Sequence, residues 1–187
     1  MTSGPTYGET ALMTPANLLT ATRLLVAPVF IYMIIADRIS WWTSLVGFFA
    51  ALTDYFDGIV ARRHGTTTSG AFLDPLADKV IVLGALYAIV LARPHGLVGF
   101  VVPAAIITLR EIWMSVHRSR AAKRGISIPA SKLAKWKTFV QDLAIAFCVL
   151  PVTGHHPWIG ITTIWIATAL TLYTGWRYNV DGKRIAT

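Results

Sequence analysis

The stretch Leu52–Val80, LTDYFDGIVARRHGTTTSGAFLDPLADKV, places four aspartates, Asp54, Asp57, Asp74 and Asp78, inside two of the most apolar segments of the chain. An ionised carboxylate on an isolated membrane helix costs about 2.5–3.5 kcal/mol, so four of them need a shared purpose. Read as helix, Asp54, Asp57, Gly58 and Ala61 stand at i, i+3, i+4 and i+7 and fall on one face. Gly70, Asp74 and Asp78 stand at i, i+4 and i+8 and form a second stripe. The short polar segment RRHGTTTS between the two predicts antiparallel neighbours. Their carboxylate faces are then expected to meet near one membrane surface.

The rest of the chain supports a membrane reading. Its 187 residues are 55% hydrophobic and only 14% charged, and the mean hydropathy is +0.57, far from the average of soluble domains. Six apolar runs, near Leu18–Ala36, Trp42–Val60, Ala71–Leu91, Leu97–Val116, Leu133–Pro151 and Ile159–Arg177, are each long enough to cover roughly 30 Å of hydrocarbon as a helix. The expected fold is all-α, a polytopic membrane protein of six transmembrane helices. Residues 1–16 form a polar N-terminal segment without Lys or Arg, unlike the basic start of a secretory signal, so the first run is expected to be retained. No linker, low-complexity run or repeat divides the chain, which predicts a single domain over 1–187. The polar stretch after the fourth run predicts a helical extension to near Gly125 and a loop broken at Pro129. Cys148 is the one cysteine, which excludes an intramolecular disulfide and leaves it the role of a small hydrophobe.

A net charge of +8 raises the possibility of nucleic acid, but the distribution of the bases points elsewhere. Arg62, Arg63, Arg118, Arg120, Lys123, Arg124 and Lys132 fall in the even connections and Lys183 and Arg184 in the tail, against only Arg38 and Arg93 beside the odd ones. That asymmetry is the positive-inside pattern, with both termini and both basic loops in the cytoplasm of a cell whose plasma membrane holds the protein. The same loops face anionic head groups, each base adding about 1 kcal/mol of attraction. Trp41, Trp42, Trp158 and Trp176 lie at run ends, as interfacial anchors do.

Four converging carboxylates without matching cations repel one another strongly in a low-dielectric setting. Each could instead cap a helix or pair with Arg62, Arg63 or Lys79, but two stripes with interleaved glycines point to divalent ions. An all-oxygen donor set suits Mg²⁺, Mn²⁺ or Ca²⁺. Magnesium commonly binds a substrate's phosphates together with protein carboxylates, and the small residues Gly58 and Ala61 leave room for one. Chemistry on a diphosphate is the expectation.

Asp54-x-x-Asp57-Gly58-x-x-Ala61-Arg62 followed by Gly70-x-x-x-Asp74-x-x-x-Asp78 resembles the signature of the CDP-alcohol phosphatidyltransferase family. Seven residues separate Arg62 from Gly70, one fewer than the family's usual spacing. TPANLLTATRLLVAPVF, LREIWMSVHR and KLAKWKTFVQ resemble the branch whose product is phosphatidylglycerophosphate, so the likeness covers nearly the whole chain. The resemblance implies a homodimer of six-helix subunits with a polar cavity open to the cytoplasm. It implies that Asp54, Asp57, Asp74 and Asp78 hold one or two Mg²⁺ or Mn²⁺ ions on the diphosphate of CDP-diacylglycerol. Asp57, Gly58, Ala61, Arg62 and Gly70 would form the CDP-diacylglycerol site, and Asp78 would be the general base. The implied reaction is attack of an acceptor alcohol on the β-phosphoryl group with release of CMP.

Arg110 sits too deep in the fourth run for a solvated charge, with pairing to Glu111 as its simplest alternative use. Arg118 lies two turns on, and Lys135 enters the fifth run after the basic loop. Together they form a natural receiver for a phosphate-bearing acceptor, because Arg offers bidentate hydrogen bonds. Glycerol 3-phosphate is the expected acceptor; phosphatidylglycerol or an inositol phosphate would keep the chemistry and change the product. A divalent-cation transporter is the remote alternative, disfavoured by the absence of paired broken helices. Gln141 and Asp142 are read as helix-to-helix hydrogen bonders, and His155 and His156 as loop surface.

Overall fold

The computed structural model describes the backbone of residues 15–36, 39–64, 68–92, 97–123 and 132–185, and the side chains of 17–36, 39–53, 76–92, 98–121, 133 and 136–178. Every described element is helical: α1 (Pro15–Ile35), α2 (Trp41–His64), α3 (Thr68–Ala92), a π-helical turn (Leu97–Val101) running into α4 (Val102–Lys123), α5 (Lys132–Val149), the short α6 (Pro151–Gly154) and α7 (Pro157–Ile185). Each of the six apolar runs falls on one long helix, and α4 continues past its run to Lys123, as the sequence predicts. The π-helical turn is not foreseen by hydropathy. Pro103 explains it: in a continuous α-helix its ring would press on the carbonyl of residue 99 and offer it no N–H, and a widened turn relieves both.

Among the described residues three helices are long and apolar enough to cross a membrane, over Asn17–Ile35, Val98–Ala121 and Pro157–Tyr178. The burial pattern is the one a lipid solvent selects. Large side chains such as Leu18, Leu25, Tyr32, Phe48, Leu109, Trp113 and Trp176 face outward, while Ala is the commonest buried residue, with Thr and Ile next. Helices gain little from burying leucine when lipid tails are equally apolar, so small residues that allow close backbone approach take the contacts. Trp41, Trp42, Trp158 and Trp176 are all exposed near helix ends.

The chain forms two compact units. In the first, α2 and α3 both pack on α1. The buried stripe of α1 is Asn17, Thr20, Arg23, Ala27, Phe30 and Ile34, spaced by three and four. Its first half is polar and its second apolar. Gly47 of α2 admits the Phe30 ring: a Cβ there would lie 2.8 Å from Phe30 Cζ. Because Phe30 is buried, Gly47→Ala is expected to destabilise the protein by about 1–3 kcal/mol through overpacking. Adding Phe30→Leu should restore part of the loss, as read by thermal unfolding in detergent. An unchanged midpoint in the single variant would disprove this close approach of α1 and α2.

In the second unit, α4 packs on α7. Gly160, Ile164, Ala167, Thr168, Thr171, Thr174 and Gly175 line one face of α7. The threonines bond back to their own helix, Thr168 to Ile164 O at 2.8 Å, Thr171 to Ala167 O at 2.7 Å and Thr174 to Thr171 O at 3.0 Å. Their hydroxyl hydrogens are thereby used, and their oxygens stay free to accept from other helices. Lys137, Gln141, Ala144, Ile145 and Cys148 form the buried face of α5. Gln141 Nε2 donates to Thr171 Oγ1 at 3.1 Å, the helix-to-helix bond expected of it. Cys148 is buried beside Gly160, packing as a small hydrophobe.

Candidate active site

Asp54 and Asp57 lie in α2, Asp74 and Asp78 in α3, and both helices run unbroken through them. The spacings therefore put each pair on a single helical face. The side chains of Asp54, Asp57, Gly58, Ala61, Arg62, Gly70 and Asp74 lie outside the described residues, and so does that of Lys135. Among the described residues no three metal-ligating side chains come together. The donor chemistry of the four aspartates, all carboxylate oxygen, fits a hard divalent cation.

Asp78 is described. Its carboxylate accepts from Nη1 of Arg23 on α1, a guanidinium only 2% exposed, while Asp78 itself is 42% exposed. One end of the pair is thus enclosed by helices and the other is open. That partner is a cation from another helix. The sequence carried a signal for it, since an arginine six residues into the first apolar run needs an acidic partner.

The second unit holds the other charges. Arg110 is 10% exposed, and its fork is held at both tips: Nη1 donates to Glu111 Oε1 at 3.0 Å and Nη2 to Thr174 Oγ1 at 3.1 Å. Lys137 of α5, buried, donates to the same Glu111 oxygen. Arg118 is exposed on α4, close enough for its charge to repel Lys137. Two cations therefore share one carboxylate, with the charge of Arg118 nearby. Sequence reasoning singled out Arg110 and Arg118 but missed Glu111 as a hub and Lys137, which lies two residues beyond Lys135. A lysine on the polar end of an otherwise apolar helical face, in step with Gln141 four residues on, was the available clue.

The chain matches the model of the CDP-alcohol phosphatidyltransferase family over residues 13–173. It belongs to that family. The matched span takes in the aspartate signature, Arg23 and the Arg110–Glu111–Lys137 cluster, and so covers both compact units. Membership makes the protein a phosphatidyltransferase, an enzyme of phospholipid biosynthesis associated with membranes. Among similar proteins is a probable phosphatidylglycerophosphate synthase of Mycobacterium tuberculosis, 36% identical over 97% of this chain and 88% of its own length. A CDP-diacylglycerol–glycerol-3-phosphate 3-phosphatidyltransferase of Pseudomonas fluorescens is 37% identical over 87% of this chain and 86% of its own. One of the same name from Cereibacter sphaeroides is 32% identical over 87% and 92%.

Proposed function

We propose that this phosphatidyltransferase moves the phosphatidyl group of CDP-diacylglycerol to sn-glycerol 3-phosphate, giving phosphatidylglycerophosphate and CMP. The observation that carries the reading is the aspartate signature inside a chain that matches, nearly end to end, relatives named for that reaction. Asp54, Asp57, Asp74 and Asp78 would hold one or two Mg²⁺ or Mn²⁺ ions. When bound, these supply charge neutralisation of the diphosphate and of the departing CMP.

The protein's own groups do the rest. Asp57, Gly58, Ala61, Arg62 and Gly70 accommodate CDP-diacylglycerol, the two small residues clearing space for the nucleotide. Asp78 takes the proton of the acceptor hydroxyl as its oxygen attacks the β-phosphorus and the bond to the CMP oxygen breaks. Asp78 suits this task because its carboxylate is open on one side and anchored on the other by Arg23. Arg110, Arg118 and Lys135 receive the acceptor's phosphate. The setting proposed is a homodimer of six-span subunits in the plasma membrane, with termini and a polar active-site cavity facing the cytoplasm.

The test is CMP release by the purified protein with CDP-diacylglycerol and Mg²⁺, comparing glycerol 3-phosphate, phosphatidylglycerol and inositol phosphate. Turnover with glycerol 3-phosphate is expected. Turnover with only another acceptor would keep the chemistry and overturn the substrate, and metal uptake into sealed vesicles without any CMP release would favour a transporter. Arg118→Ala should raise the acceptor KM more than that for CDP-diacylglycerol, and equal effects on both would remove Arg118 from the acceptor site.

A further inference from the structure

Arg110 and Tyr178 each bury a hydrogen-bond donor that has no partner among the described residues: Nε–H of one and the hydroxyl of the other. Leaving such groups unpaired in the interior is costly, most of all on a charged side chain. Both side chains lie where α4 packs on α7. Arg110 reaches Thr174 and lies against Gly175, where a Cβ would stand 3.6 Å from Nε. Tyr178 follows one turn later on α7, i+4 from Thr174 and i+3 from Gly175, and side chains on a helix lean toward its N-terminus, here over the Thr174–Gly175 turn. Its ring is fixed by edge contacts to Trp113 and His117 of α4, at centroid distances of 6.5 and 5.6 Å.

The charge balance asks for an anion at the same place. Lys137 and Arg110 share a single oxygen of Glu111, which leaves the cluster one positive charge in excess within helices that lie among lipid. With both tips of the Arg110 fork already committed, the buried Nε–H is the donor left for an anion, and the absent side chain at Gly175 leaves about a methyl group's space beside it. We infer that Tyr178 and the Nε edge of Arg110 form a phosphate subsite between α4 and α7, in which Glu111, with Lys137 as its second cation, is the positioning residue for Arg110. This rests on the reading of glycerol 3-phosphate as acceptor, and it adds Tyr178 and Glu111 to the residues that select a phosphorylated alcohol.

Tyr178→Phe keeps the ring and removes only the hydroxyl; Gly175→Ala fits the available space, adds helix propensity and covers the Nε edge. Both are compared with wild type by steady-state kinetics in each substrate and by thermal unfolding. Each variant is expected to raise the glycerol 3-phosphate KM on the order of tenfold, leave the CDP-diacylglycerol KM within about twofold, and unfold no earlier than wild type. Glu111→Gln should show the same one-sided rise. Unchanged acceptor KM in Tyr178→Phe and Gly175→Ala, or equal rises for both substrates, would overturn the subsite while leaving the reaction intact. Absence of wild-type turnover with glycerol 3-phosphate would instead overturn the acceptor reading and this inference with it.

Discussion

Asp78→Asn is expected to lower CMP release from CDP-diacylglycerol by roughly 10²–10⁴-fold, the range over which a positioned general base acts. The substitution changes little in size or packing. Asparagine matches aspartate in size, and its amide oxygen can still accept the hydrogen bond from Arg23 that the carboxylate accepts now. What is lost is the negative charge that balances a buried guanidinium, together with the basic oxygen that would take the proton and help hold a metal ion. Melting in detergent should therefore fall modestly while activity collapses, and the two readouts separate chemistry from folding. Activity within about tenfold of wild type would remove Asp78 from proton transfer.

The second large effect concerns stability. Glu111→Leu should destabilise the protein by about 3–5 kcal/mol, because it strips the one anion from two buried cations. Lys137→Met is expected to cost far less, since Glu111 keeps its bond to Arg110 and methionine fills the aliphatic path of the lysine. The double variant should be more stable than Glu111→Leu alone, because one of the stranded cations is gone, and that sign of non-additivity marks direct coupling. Unfolding midpoints of the four proteins in one detergent decide it. A Lys137→Met loss equal to that of Glu111→Leu would show that the carboxylate is not the hub.

The helices were legible because hydropathy and length speak directly in a lipid solvent: all six apolar runs lie on helices, although α7 continues well past its run to Ile185. The aspartate stripes were legible for a related reason, as charges in apolar helices are too costly to be incidental. Partners were harder to read. Asp78 pairs with Arg23, fifty-five residues away in sequence, and periodicity says which face a residue occupies but not which helix stands opposite. The same limit hid Lys137. Arg110 next to Glu111 was readable as an adjacent pair, whereas the lysine that completes the cluster comes from α5, twenty-six residues on. The π-helical turn escaped notice because hydropathy is blind to how one proline reshapes the backbone ahead of it.

The cluster on α4 also bears on how the chain enters a bilayer during synthesis. Arg110 and Glu111 travel on the same helix and largely cancel each other's charge, so α4 can partition into lipid on its own account. Helix α5 has no such provision: Lys137, Gln141 and Asp142 occupy its first three turns. Among the described residues its lysine pairs with an anion on α4, which leaves the ribosome first. If α5 inserts after α4, its lysine meets a carboxylate already in place, and a chain lacking Glu111 is expected to accumulate in the membrane at a lower level than wild type.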